Sequence, residues 1–301
     1  IIMPLKFAPL AKSFLGPDGF LANNPARAVV IPCGLEKSVS YGGGTRKGPR
    51  AIIAASRQVE LFNEELDSES YLDFGIGTLP EIQLAQNLPK ALDQIEKTVS
   101  EVLAAEKFPL ILGGEHSLTP GAVRAITRKF GRIAILHFDA HADLRDGYLG
   151  EKFSHAAAMR RCLDNPQVAK IVSVAIRSIS IEESDFLKAN SDRIKIFWGK
   201  DKLHWKLGKI VAALPKNLPL YLSFDLDALD PSLLPATGTP EPGGMFWDET
   251  LAILRTVASQ RKIVGADLVE LAPQQNLPAS DFIAAKLAYK ILSYAFVFSK
   301  K

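Results

Sequence analysis

The sequence predicts an α/β fold, three layers deep (αβα), around a mainly parallel, doubly wound sheet of about eight strands. Short apolar runs alternate with amphipathic stretches from one end of the chain to the other, the pattern of parallel strands joined by crossover helices. Apolar residues fill 47% and charged residues 23% of 301 positions, which supports a sizeable core and excludes disorder or collagen-like repetition. No Pro/Ser-rich linker, repeat or low-complexity segment breaks the alternation, so residues 1–301 are expected to form a single domain.

In chain order, the first apolar run is Arg27 to Cys33, followed by an expected helix over Lys47 to Gln58 and a second strand over Leu72 to Ile76. The next helix, Leu88 to Glu106, has the clearest pattern: Leu88, Leu92, Ile95, Val99 and Val102 step by three or four and share one apolar face. Strand Pro109 to Leu112 then runs into Gly113-Gly114 and a helix over Pro120 to Lys129. The remaining strands are Ile133 to Asp139, Ile171 to Ile176, Ile194 to Phe197, Leu220 to Asp225 and Ile263 to Val269. Helices are expected between and after them, over Ser154 to Leu163, Ile181 to Asn190, Asp201 to Leu214, Asp248 to Gln260 and Ser280 to Phe298. Ligands of such a sheet bind at the carboxyl ends of its strands.

Composition narrows the partners. The 36 Lys and Arg residues against 33 Asp and Glu leave a net charge of +3, without basic clusters interleaved with aromatics, so nucleic acid is not an expected partner. No apolar stretch approaches a membrane span, and the first twenty residues lack a signal peptide's compact apolar run, so a cytoplasmic setting is expected. Cys33 and Cys162 are too few for a disulfide framework or a thiolate zinc site and are expected to be packing residues.

Four of the five histidines fall within forty residues of one another. In LILGGEHSLTPG a strand end delivers His116; in IAILHFDAHADLRDG, Asp139, His141 and Asp143 alternate; in YLSFDLDALDP, Asp225 and Asp227 alternate. Period two places each alternating set on one side of its strand. Carboxylates crowded in this way repel one another unless a cation lies among them. Two imidazoles and four carboxylates exceed what one Mg²⁺ ion receives from protein, and suit two divalent ions about 3.5 to 4 Å apart, with imidazole favouring Mn²⁺. Such a pair acidifies a bridging water, so metal-assisted hydrolysis follows from the ligand set.

The segments GGEHS, DAHAD, SFDLDALDP and GTPEPGG, with YGGGTRKGPRAI and ADLVELAP, resemble in order and spacing those of the ureohydrolase family, the arginases, agmatinases and related guanidino hydrolases. The resemblance implies an arginase/deacetylase-like fold and two Mn²⁺ ions per chain, one held by His116, Asp139, Asp143 and Asp225, the other by His141, Asp139, Asp225 and Asp227. It further implies that Asp143 orients the attacking hydroxide and passes its proton to the leaving amine, that His155 shuttles protons, and that Glu270 binds the guanidinium. It also implies a homo-oligomer of three or six chains. His137, His204 and Asp230 fall outside the implied site: a packed histidine beside the first bridging aspartate, a surface residue, and a turn former before Pro231.

Arginases place an asparagine two residues after the third ligand, where this chain has Arg145, and tend to be apolar where it has Glu241. Both departures point to agmatine as the small-molecule substrate, cleaved to urea and putrescine, its ammonium attracted by an acidic rim from Asp146, Glu151 or Glu241. The alternatives are a guanidinobutyrase or other guanidino-acid hydrolase, in which Arg145 would pair with a carboxylate, a one-zinc deacetylase-like enzyme, and a metal-free regulatory relative. The second histidine position and Glu270 argue against the deacetylase, and the full ligand set argues against the regulator.

Overall fold

The computed structural model describes residues 4–19 and 26–298. Its strands are β1 (Ala28–Cys33), β2 (Ile76–Thr78), β3 (Phe108–Gly113), β4 (Ile133–Phe138), β5 (Val168–Ile176), β6 (Ile194–Trp198), β7 (Leu220–Asp225) and β8 (Ile263–Val269). They make one sheet in the order β2-β1-β3-β8-β7-β4-β5-β6, and every neighbouring pair is parallel. The helices are α1 (Gly48–Ser56), α2 (Tyr71–Phe74), α3 (Leu88–Ala104), α4 (Thr119–Phe130), α5 (Ala158–Leu163), α6 (Ile181–Ala189), α7 (Leu207–Ala213), α8 (Trp247–Ala258) and α9 (Pro278–Val297).

Alternate residues of each central strand feed two separate cores, which makes the three layers. Val30, Leu110, Leu112, Leu136 and Leu222 pack with α1, α7, α8 and α9, whereas Val29, Ile31, Ile111, Ile135 and Tyr221 pack with α3, α4 and α5. Strands buried on both faces are what a continuous apolar run requires. Local chemistry sets the helix ends. Asn87 caps α3 by accepting from the Lys90 N–H, and Ser180 and Glu183 form a capping box at α6. Glu106, at φ 57°, turns the chain out of α3 toward β3.

Three expectations are corrected. The strand expected over Leu72 to Ile76 is displaced: Tyr71–Phe74 is the short helix α2, and β2 begins only at Ile76. Its apolar residues served helical packing, with Tyr71 and Phe74 buried. The helix expected over Asp201 to Leu214 is a 3-10 segment, Gly199–His204, followed after a break by α7, because Trp205 and Lys206 are extended. The extended alternation assumed for the two acidic motifs stops early. β4 ends at Phe138, before Asp139, and β7 ends at Asp225, after which Leu226–Ala228 winds into a 3-10 turn.

Candidate active site

The central strands β3, β8, β7 and β4 stand side by side, and each delivers chemistry at its carboxyl end. After β3, Gly114 passes so close to Leu35 that a Cβ there would lie 2.0 Å from the Leu35 carbonyl oxygen, so only glycine lets the chain turn to present His116. After β4 come Asp139, His141 and Asp143, with Asp143 at φ 53°. β7 supplies Asp225 and the turn that follows it supplies Asp227; β8 leads into Glu270, at φ 67°. Left-handed backbone at two non-glycine residues costs roughly 1–2 kcal/mol each, a cost the surrounding packing sustains.

These residues converge as the sequence predicts. His116 Nδ1 lies 3.1 Å from Asp139 Oδ2, 3.1 Å from Asp143 Oδ2 and 3.3 Å from Asp225 Oδ2. It is buried and makes no well-directed hydrogen bond to any of them. His141 Nδ1 lies 2.9 Å from Asp227 Oδ2 and 3.5 Å from Asp139 Oδ1. Asp139 thus stands between two imidazoles, and Asp139, His141 and Asp227 together could hold an ion. An imidazole nitrogen without a hydrogen bond, aimed among three carboxylates, is the donor set a divalent cation takes.

Burial and crowding leave these groups short of positive charge. Asp225 is pushed well above the usual carboxylate range by burial and by Asp227 and Asp139, and Asp143 is raised by burial and Asp139. Glu270 is likewise pushed well up by burial and by the nearby Glu115. Burial opposes charge on the imidazoles, but Asp227 and Asp139 prevail and lift His141 to about 12. The cluster therefore gathers cations, whether protons or metal ions.

The remaining candidates fall around the cluster. A narrow recess of about 30 Å³ has His116, Asp225, Asp227 and Glu270 in its walls. It is adjoined by an outer cavity of about 250 Å³ bordered by Arg145, Tyr148, Ser178 and Glu183; His141, Asp143 and His155 line both. Glu270 also anchors the turn that presents His116, accepting the His116 backbone N–H at 2.6 Å. Arg145 faces the outer cavity, with its guanidinium carbon 4.9 Å from the Tyr148 ring centre and its Nε 3.9 Å from Glu183 Oε2.

The expected acidic rim is not part of the cavity: none of Asp146, Glu151 and Glu241 is in its walls, Asp146 pairs with Arg160 and Arg161, and Glu151 accepts the Phe153 N–H. His137 has both ring nitrogens engaged, with Asp139 Oδ2 at 2.9 Å and Ser173 Oγ at 3.1 Å, so it holds the Asp139 carboxylate in place. Asp230 fixes its turn through Ser232, Gly243 and Gly244, His204 is exposed, and both cysteines are buried, the Cys33 thiol raised to about 12 by desolvation.

Sequence reasoning missed the supporting polar residues. Ser223 Oγ contacts His116 Nε2 at 2.8 Å and Asp267 Oδ1 at 2.7 Å, and Asp267 Oδ2 accepts from Tyr221 and Thr119. Arg177 donates to the Asp227 carbonyl at 2.7 Å and braces the turn that follows β7. Polar residues inside the apolar runs YLSFD and GADLV were the available signal.

Residues 26–293 match the model of the arginase family. The chain is 35% identical over 300 residues to an N(1)-aminopropylagmatine ureohydrolase of Synechocystis sp., covering 97% of this chain and 96% of that protein. It is 35% identical over 283 residues to an agmatinase of Bacillus cereus, covering 89% and 94%. In structure it resembles the agmatine ureohydrolase of Thermoplasma volcanium, with a TM-score of 0.84 and 28% identity over 96% of each chain.

Proposed function

The chain belongs to the arginase family and is a ureohydrolase, and from that premise we propose that its substrate is agmatine, which water cleaves to urea and putrescine. The observation that carries this reading is the two-part cavity, with His116, Asp143, Asp225, Asp227 and Glu270 in the walls of a recess and a wider space beyond it. Relatives named for agmatine and N(1)-aminopropylagmatine, both amine-terminated guanidines, support it.

We assign His116, Asp139, Asp143 and Asp225 to one Mn²⁺ ion and His141, Asp139, Asp225 and Asp227 to a second. Divalent ions held there would acidify a water molecule and so supply a hydroxide nucleophile at neutral pH. Glu270 holds the guanidinium in the recess through charge-assisted hydrogen bonds. Asp143 accepts a proton from the attacking water and delivers it to the leaving amine, while His155 exchanges protons with the cavity. The same reading takes residues 1–301 as a single domain in a cytoplasmic homo-oligomer of three or six chains, to be checked by metal analysis and light scattering.

A urea-release screen of agmatine, N(1)-aminopropylagmatine, arginine and 4-guanidinobutyrate, with Mn²⁺ supplied, tests the substrate. Agmatine should give the highest kcat/KM, with arginine lower by about 100-fold because its extra carboxylate lacks a dedicated site. A higher value for either acid overturns the choice of agmatine and leaves the reaction class standing. Arg145 favours a second reading: its guanidinium faces the outer cavity, where it would pair with the carboxylate of a guanidino acid. Arg145→Ala separates the two. Under the agmatine reading its turnover of agmatine stays within about two-fold, and under the guanidino-acid reading turnover of 4-guanidinobutyrate collapses.

A further inference from the structure

His155 opens the 3-10 turn leading into α5 and lines both parts of the cavity. Its ring is held from behind by Ser38, in the segment after β1. Ser38 Oγ lies 3.2 Å from His155 Nδ1, 2.9 Å from the His155 backbone nitrogen and 3.0 Å from Glu115 Oε1. Glu115 is wholly buried and receives four donors. Ser38 Oγ and Ser117 Oγ reach Oε1 at 3.0 and 2.5 Å, and the backbone N–H groups of Lys37 and Ser38 reach Oε2 at 2.8 and 2.7 Å.

A count of donors and lone pairs decides where the protons lie. A carboxylate offers about four acceptor sites and no donor, so Glu115 is filled and Ser38 must spend its single O–H on it. The hydroxyl's two lone pairs remain. One accepts the His155 backbone N–H, and the other meets His155 Nδ1. A lone pair attracts only a nitrogen that carries hydrogen, so Nδ1 is the protonated nitrogen.

We infer that Ser38, oriented by Glu115, locks His155 in its Nδ1–H tautomer and leaves Nε2 as the nitrogen that exchanges a proton with the substrate cavity. Ser38 and Glu115 are then positioning residues for proton transfer. This rests on the shuttle role proposed for His155. When the ring takes up a proton it does so at Nε2, and when it gives one back it does so from Nε2. The Nδ1–H···Oγ contact is the same in both states, so no side chain turns during the cycle. An unanchored ring would divide itself between two tautomers, only one of which can accept at Nε2.

Neutron diffraction from metal-loaded crystals exchanged into D₂O reads the tautomer directly. Deuterium should appear on His155 Nδ1, and the Ser38 hydroxyl deuteron should point to Glu115 Oε1. Ser38→Ala should lower kcat about 10- to 100-fold, with KM and metal content changed by less than about two-fold. Ser38→Thr, which keeps the hydroxyl, should retain most of the turnover. A neutral His155 with deuterium only on Nε2 overturns the inference, as does a Ser38→Ala enzyme with unmutated kcat. His155→Ala is the control for the underlying reading: unchanged turnover in that variant refutes the shuttle, while the deuteron positions still judge the anchor.

Discussion

His116 divides its labour between its two ring nitrogens. Nδ1 faces Asp139, Asp143 and Asp225, and Nε2 is backed by Ser223 and, through it, by the fully buried Asp267. Such backing fixes the ring and its tautomer before any ion arrives. Asp139 is shared more widely, by His116, His137 and His141. Asp139→Ala should therefore abolish metal retention and urea release together, with activity down by orders of magnitude, as read by metal analysis and a urea assay on the same sample. Retained metal with lost activity would show that Asp139 is not a shared ligand. The convergence of His116, Asp139, His141, Asp143, Asp225 and Asp227 was legible in the sequence because each stands at the carboxyl end of an apolar run, where a parallel sheet gathers its ligand-facing residues. Ser223 and Asp267 were not, since a serine in YLSFD and an aspartate in GADLV acquire meaning only when β7 and β8 lie side by side.

At the level of elements, the acidic motifs reached the right place by a different route from the expected one. Alternation along an extended strand was the predicted device, yet the chain turns at both places, and Asp225 Oδ1 accepts the Asp227 N–H to make the second turn. Side-chain-to-backbone bonds of this kind are local, but nothing in a periodicity count separates them from a continuing strand. α9 has a comparable hidden device. Its Lys290 is fully buried and donates to Asn63 Oδ1 and Glu64 Oε1 at 2.8 and 2.9 Å, tying the last helix to the segment after α1. The Lys290 hydrogen bond holds Glu64 below its ordinary value of 4.5. A carboxylate depressed on folding adds its stability above that ordinary value and loses it as pH falls through the depressed one. Lys290→Met should cost about 1–3 kcal/mol in urea denaturation at pH 7, with the gap from the unmutated protein narrowing toward pH 3. A gap independent of pH would assign the loss to packing alone.

For the molecule as a whole, fold class and layer order followed from the alternation of apolar runs and amphipathic stretches, because a strand buried on both faces has no polar alternative. Sheet order was not legible, since it depends on pairings between segments far apart in the chain. That order bears on whole-molecule stability: β4, β7 and β8 hold repelling carboxylates at neighbouring ends, and the proposed cations would relieve that strain in the native state alone. Melting temperature should fall by several degrees after chelation and recover with Mn²⁺, while Asp139→Ala should melt at one temperature with or without the ion, by calorimetry. Identical melting curves for chelated and Mn²⁺-loaded protein would refute the link. The same order bears on synthesis. β7 and β8, made last, insert between β3 and β4, so a growing chain that has reached Trp198 has β3 and β4 but neither of the strands that will separate them. Until then the edges of β3 and β4 lack their native partners. A chain stopped before Leu220 should thus be sticky as well as inactive, since it lacks Asp225, Asp227 and Glu270 and exposes strand edges that the last two strands would cover.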